Sequence, residues 1–323
     1  MKSTLTTLAR RLATCAGGVL LSNQAHQTLL TTRAKAIAQL VQAQPPLSPG
    51  LTGIVFSKDR ALQIHTLLHS YSQLVKHPAP LIILYNASTP AHAAAYAQVE
   101  ATFRKAPMPV RFVQEDKPFN QLLPEVLESI PTRNLFFLVD DIILIRPWDM
   151  HLAADINPLT TVLCPRLSPS ITTSYTMGGV KAHQPTFHSL KGEPTLRTFR
   201  FTEGTQEWAY PCSVDGNIFS TAEIKVLASL ATYKAPNSFE AALHQFADIF
   251  MSREGLCYTE SKLLNLPLNK VQTEVANLAA SVTPAFLLAQ YNQGLMLETT
   301  PFRTHTPTST HEDHPVTFTR RPS

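Results

Sequence analysis

Four short apolar runs, spaced along the first half of the chain, constrain its fold more than any other feature. They are Gly53–Phe56 within GIVFSKDR, Leu81–Tyr85, Val110–Val113 and Leu135–Val139. Runs of Val, Ile, Leu and Phe of this length read as strands buried on both faces. Between them Ala61–Val75 repeats apolar residues at helical intervals, through Leu62, Ile64, Leu67, Leu68, Tyr71 and Leu74. Ala91–Arg104 is rich in alanine, and Pro118–Ile130 continues the helical pattern. Strand–helix alternation of this kind predicts an α/β fold, with a mixed, mostly parallel sheet flanked by helices. Ligands of such sheets bind at the carboxyl ends of the strands.

Two of the four runs end in charge. In Asn134–Pro147, NLFFLVDDIILIRP, the adjacent Asp140 and Asp141 interrupt an otherwise apolar segment. Two carboxylates there are costly unless they are paired, lie in a cleft or bind a cation. Hard oxygen ligands suit Mn²⁺ or Mg²⁺, so the pair points to a divalent metal and a phosphate-bearing substrate. Adjacent side chains of a strand point to opposite faces, so both aspartates reach one metal only if the strand ends or turns there. The alternative is a pair of carboxylates that caps a turn. The first run ends in Ser57, Lys58, Asp59 and Arg60. Asp59 could accept hydrogen bonds from a base or ribose, and Arg60 could pair with a phosphate or with Asp59 itself. The same residues also read as a helix start capped by Ser57 or Asp59. The two readings are compatible, because helix N-termini favour anions.

Composition narrows the classes further. The chain has 323 residues, 44% of them hydrophobic and only 15% charged, which excludes a wholly disordered protein. Its net charge is +4, with Lys and Arg scattered rather than clustered, so nucleic acid is not the expected partner. Cys15, Cys164, Cys212 and Cys257 form no CxxC pattern and read as reduced, packed thiols of a cytoplasmic protein. There is no P-loop, HExxH or GxSxG motif. At the N-terminus, Lys2, Arg10 and Arg11 precede a short apolar stretch broken by Gly17 and Gly18. It is too short to span a membrane and reads as an amphipathic helix, with weak peripheral membrane contact or a cleaved signal as the alternatives.

Residues 1–45 are expected to form an N-terminal helical extension, separated by the proline-rich Ala43–Gly53 from a domain over 50–300. Residues 50–150 make its nucleotide and metal half, 151–300 its acceptor half, and 301–323 a partly ordered tail rich in Thr, Pro and His. His151–Pro211 reads as loop-rich, Ala222–Leu230 and Ser238–Met251 as helices, and 259–293 as a strand and two helical patterns.

Four segments in this order resemble the GT-A superfamily of nucleotide-sugar glycosyltransferases, in a family-2-like form. They are Gly53–Ser70, Phe136–Pro147, Ser213–Ile224 (SVDGNIFSTAEI) and Asn265–Gln272 (NLPLNKVQ). The resemblance implies a GT-A-like fold and a metal-dependent transfer of sugar from a nucleotide-diphosphate sugar to a glycan or glycoconjugate hydroxyl. It implies that Asp141 holds the metal, that Asp140 shares it or meets the ribose, and that Ser57, Lys58, Asp59 and Arg60 frame the nucleotide. The chain departs from the usual Asp-x-Asp spacing and lacks the familiar Glu-Asp pair. Asp215 in VDGNIF fits the place of the base that activates the acceptor in inverting members; acceptor binding or a plain Asp-Gly turn are its other readings. Gly216 and Glu240 are further acceptor-side candidates. Some members take a metal ligand from a late histidine, and His311 and His314 in THEDH are placed for it; a solvated tail is the other reading. A nucleotidyltransferase on the same layout, or a relative that binds sugar nucleotide without turnover, are the competing functions.

Overall fold

A computed structural model describes residues 23–268, 282–315 and 317–322. The chain divides into two units, Met1–Gln44 and Pro45–Ser323. In the first, Asn23–Gln42 forms helix α1. The Lys2–Gly18 stretch with its suggested membrane contact lies outside the described residues, as do Cys15 and residues 269–272 of the last resembling segment. No helix among the described residues is long and apolar enough to cross a membrane.

The second unit opens with β1 (Ser48–Lys58), α2 (Ala61–Leu74), β2 (Leu81–Asn86), α3 (Pro90–Phe103), β3 (Val110–Gln114), α4 (Phe119–Glu128) and β4 (Thr132–Val139). It continues through β5 (Ile142–Leu144), α5 (Met150–Asp155), β6 (Thr161–Leu163), β7 (His188–Leu190) and β8 (Glu193–Arg200). Then come β9 (Ile218–Ser220), α6 (Thr221–Leu230), α7 (Pro236–His244), α8 (Ala247–Met251), β10 (Glu254–Tyr258) and β11 (Leu263–Asn265). The chain closes with α9 (Pro284–Asn292), β12 (Leu295–Leu297) and β13 (Phe318–Arg320).

The central sheet has the order β9–β4–β1–β2–β3. Its four long strands are parallel, and β9 joins β4 antiparallel. This is the mixed, mostly parallel sheet flanked by helices that the alternation predicts. β1 lies between two neighbours and is buried from Leu51 to Ser57. A Cβ on Gly53 would come within 2.5 Å of both Leu81 and Phe136, so only glycine lets these two side chains close over the strand.

Helix α2 is buried on almost every side, because it packs against α3, β5, α9 and β12. Its hydroxyls serve the strands around it: Ser70 Oγ accepts from Leu144 N (3.1 Å) and Thr66 Oγ1 from Leu297 N (3.2 Å). Those bonds satisfy buried edge amides that would otherwise cost about 1–3 kcal/mol each. Thr89 caps α3 by accepting from His92 N at 3.3 Å, with Pro90 at the first helical position.

Three readings of the sequence shift. The proline-rich stretch is already strand, since β1 begins at Ser48; a register irregularity between Ser48 and Leu51 accommodates Pro49. The loop-rich 151–211 contains strands of a second sheet, ordered β7–β8–β10–β6. β7 and the start of β8 are exposed, so no apolar run marked them. Ser238–Met251 is two helices, broken where Phe246 leaves helical geometry (φ −107°, ψ 15°).

Candidate active site

Strand order sets the location. β1 feeds β2 on one side while β4 lies on its other side, so the order reverses between β1 and β4. The carboxyl ends of strands flanking such a reversal form the natural ligand crevice of an open α/β sheet. Here those ends are Ser57–Arg60 and Asp140–Asp141.

β4 stops at Val139, and the two aspartates turn the chain into β5. The turn lets neighbouring side chains converge on Arg60. Its Nη1 lies 2.8 Å from Asp140 Oδ1 and 2.6 Å from Asp141 Oδ2. Asp140 is buried, and its Oδ2 accepts from Ser57 Oγ (2.7 Å) and Lys58 N (3.2 Å). Both of its oxygens are therefore engaged, and it ties the ends of the two strands together. Asp141 differs. Its Oδ1 is buried and has no hydrogen-bond partner among the described residues. Burial, with the charges of Asp140 and Asp215 adding and Arg60 opposing, pushes its carboxyl from 3.8 up to about 7. Burial by itself would lower the Arg60 guanidinium, but Asp141 and Asp140 more than offset this and hold it above its ordinary value.

The remaining residues of the first motif divide. Arg60 meets the aspartate pair rather than Asp59. Asp59 adopts a left-handed backbone (φ 55°), and its carboxylate accepts from Ser88 N (2.7 Å) and Ser88 Oγ (2.6 Å). The Lys58 side chain is exposed, and its contribution is the backbone amide. Tyr96, from α3, completes the frame: its hydroxyl lies 2.5 Å from Ser57 Oγ and accepts from Arg60 N at 3.1 Å.

The acceptor-side candidates are brought to the same region by a tight turn. Gly216 has φ 93° and donates to Phe137 O at 2.7 Å. A Cβ there would meet Leu263 Cδ1 at 2.4 Å, so glycine is required both for the turn and for its approach to the sheet. Asp215 follows from that placement: both Asp141 and Glu240 feel its negative charge. Glu240, on α7, accepts from Val214 N at 3.1 Å through Oε1. Burial and the Asp215 charge push its carboxyl up to about 7. Asp215 Oδ2 lies 3.4 Å from His311 Nε2 and 4.0 Å from Arg166 Nη1. Arg166 also pairs with Glu207 at 3.0 Å, while its buried Nε and Nη2 have no hydrogen-bond partner among the described residues. Burial lowers the His311 imidazole below 6.5.

His311 and His314 do not converge: His311 faces Asp215, whereas His314 pairs with Glu312. Arg166, Glu207, Ser88 and Tyr96 escaped the sequence reading. Only Arg166 carried a signal, as a charge embedded in the apolar VLCPRL. Cys164, Cys212 and Cys257 are free and buried, as the wide spacing suggested.

A metal fits one part of this arrangement. Asp140 already accepts three hydrogen bonds, while Asp141 presents an orphaned buried oxygen of the kind a hard cation accepts. The site as a whole combines one guanidinium and an available carboxylate oxygen on the strand ends with two carboxylates, an imidazole and a half-satisfied arginine opposite.

No protein-family model matches the chain, and no curated protein matches it. Solved structures do resemble it. The S. aureus TarS 1-349 structure in complex with UDP-GlcNAc is 13% identical over 75% of this chain and 71% of that one, with a TM-score of 0.45. The mannosyltransferase PcManGT from Pyrobaculum calidifontis, in complex with GDP-Man and Mn²⁺, is 17% identical over 44% and 45%, with a TM-score of 0.29. A 4-diphosphocytidyl-2C-methyl-D-erythritol synthase from Anaerococcus prevotii DSM 20548 is 10% identical over 76% and 96%, at 0.37. In another structure of TarS 1-349 the chain spans 59% of that protein's length. At these TM-scores the chemistry rests on the chain's own residues.

Proposed function

We propose that the chain is a glycosyltransferase that moves a sugar from a nucleotide-diphosphate sugar to a hydroxyl of a glycan or glycoconjugate. The observation that carries this reading is the meeting of two acidic groups at one strand-order reversal. Asp141 offers a buried oxygen with no hydrogen-bond partner among the described residues at the end of β4, and Gly216 N, donating to Phe137 O at 2.7 Å, holds the Asp215 turn against the same strand. Held by Asp141, Mn²⁺ or Mg²⁺ would neutralise the charge of a bound diphosphate. Asp140 and Ser57 position Arg60, whose guanidinium supplies a fixed positive charge beside the same groups. Ser57–Arg60 and Ser88 frame the nucleotide.

On the acceptor side Asp215 takes the proton of the attacking hydroxyl as that oxygen bonds to the anomeric carbon. The nucleoside diphosphate leaves with the bonding pair, and a single displacement of this kind inverts the anomeric centre. Glu240 holds the Val214 amide and so fixes the backbone that presents Asp215. The buried, partly unpaired Arg166 suits an anionic or hydroxyl group of the acceptor. A cytoplasmic location belongs to the same reading.

Thermal shift against a panel of nucleotide sugars, with and without Mn²⁺, tests the donor claim; metal-dependent stabilisation by one donor supports it, and none by any donor sinks it. With that donor, Asp215→Asn should cut turnover by roughly 10²–10⁴, as expected for a lost general base. Glu240→Gln should cost much less. The reverse order would move the base to Glu240, and a retained product configuration would end the single-displacement scheme.

A further inference from the structure

A second cluster of ligating side chains lies in the C-terminal segment, joined to Asp140, Asp141 or Asp215 by no hydrogen bond or ion pair among the described residues. His305, Glu312 and His314 bring their donor atoms within 4.8 Å of one another. The geometry is focused on one oxygen. His305 Nε2 lies 2.6 Å and His314 Nε2 2.7 Å from the same atom, Glu312 Oε2. The other carboxylate oxygen is tied down separately, accepting from Thr308 N at 2.7 Å and Ser309 N at 3.3 Å. The two imidazole rings stand nearly perpendicular, at 84° with centroids 4.9 Å apart, and Phe302 packs edge-on against both. Two imidazole nitrogens therefore converge on one carboxylate oxygen, from a backbone that already orients the carboxylate.

We propose that these three residues bind a divalent transition-metal ion of the Zn²⁺ class. Imidazole nitrogens with one carboxylate suit zinc, whereas Mg²⁺ prefers oxygen donors throughout. Ligand atoms on a tetrahedral ion with bonds of about 2.0–2.1 Å lie roughly 3.3 Å apart. Each N···O separation needs to open by only some tenths of an ångström, within reach of side-chain adjustment. On binding, each Nε2 presents its lone pair to the ion and carries its ring proton on Nδ1. Three protein donors leave one position for solvent.

The ion's role follows from what the segment does between its ligands. Residues 307–312 add to the edge of β11: Asn265 N donates to Thr310 O (3.1 Å) and Glu312 N to Asn265 O (3.1 Å). Thr172 N and Thr173 N donate to Thr308 O from the other side, at 2.9 and 3.0 Å. This strap carries His311 to Asp215. A metal joining His305, Glu312 and His314 closes the strap at both ends and fixes the acceptor-side face of the site.

The test uses the full-length protein in the Asp141→Asn background, which removes the donor-side ligand. Zinc chloride is titrated against a chromophoric chelator, alongside Mg²⁺, and hydrogen exchange is followed over residues 305–314. The expected result is one equivalent of Zn²⁺ bound at micromolar concentration or tighter, slower exchange across the strap, and no comparable uptake of Mg²⁺. His305→Ala/His314→Ala should weaken zinc by more than about 100-fold, since even outer-shell partners are worth 10–100-fold. Glu312→Gln keeps the oxygen that holds Thr308, and it should weaken binding in the same direction, which covers the case where the double variant does not fold. Zinc affinity unchanged in these variants, equal binding of Mg²⁺, or no saturable zinc uptake overturns the proposal.

Discussion

Two buried ionic clusters, built from the same kinds of residue, have opposite characters. Glu223 at the start of α6 and Arg253 just before β10 form a bidentate pair, with contacts of 2.9 and 2.5 Å. Arg253 also donates to Pro158 O at 2.7 Å and lies over the Phe250 ring at 4.4 Å. One positive charge meets one negative charge, and neither residue has a buried polar atom without a partner. The cluster at the strand ends sets two carboxylates against one guanidinium and leaves Asp141 Oδ1 without a donor among the described residues. The first arrangement is complete and ties the start of α6 to the start of β10. The second carries excess negative charge and an open valence, which is how a site for a cationic ligand differs from a structural ion pair.

The largest effect that separates the two should come from breaking the complete pair. Arg253→Ala strands Glu223 in the interior and should cost about 3–5 kcal/mol of stability. Denaturant melts measure that loss, and turnover per folded molecule should stay near wild type. Asp141→Asn should do the opposite: turnover falls by at least roughly 10²-fold, the scale of one lost electrostatic contact in a transition state. Metal-free stability at pH 8 should hold or rise, because a disfavoured buried charge is gone. A large loss of stability in Asp141→Asn would erase the distinction between the clusters.

A smaller effect, about 1–3 kcal/mol, is expected for Gly216→Ala, since alanine is strained at φ 93° and meets Leu263. Its melt should fall together with its activity, because the same turn presents Asp215.

The subtlest test is the pH dependence. Asp141 and Glu240 ordinarily titrate at 3.8 and 4.5, and both are raised to about 7 in the fold. Between those limits these two groups hold more protons in the folded state than in the unfolded one. They therefore contribute stability that is lost as pH rises from about 4 to about 7, against an opposite contribution from the imidazoles of His65, His69 and His311, which burial lowers in the fold. Asp141→Asn should flatten part of that slope. Mn²⁺ competes with the proton for Asp141, so its stabilising shift should be greatest near pH 8 and nearly absent near pH 5. A shift independent of pH would place the metal elsewhere.

Much of the donor side was legible in the chain itself. The runs ending in Ser57–Arg60 and Asp140–Asp141 announced charged strand ends because buried strands of a parallel sheet have no polar residues to spare elsewhere. The need for a turn at Asp140 followed from the two-residue period of a strand, and the turn is there. What could not be read was which charge meets which. Arg60 had two expected partners, a phosphate or Asp59, and it took a third pair. Asp59 is diverted to Ser88 by a left-handed backbone that no local pattern marked. The second sheet was equally silent, because its exposed strands lack apolar runs.

The order of apolar and helical segments determined the α/β layers, since burial of both strand faces leaves few other ways to cover them. Long-range pairing alone decided the site. β4 lies beside β1, the chain returns to β4 at Asp215, 74 positions after Asp141, and β11 holds the strap that delivers His311. Such contacts depend on which strand edges meet across the folded chain, and short-range patterning of side chains does not encode that choice.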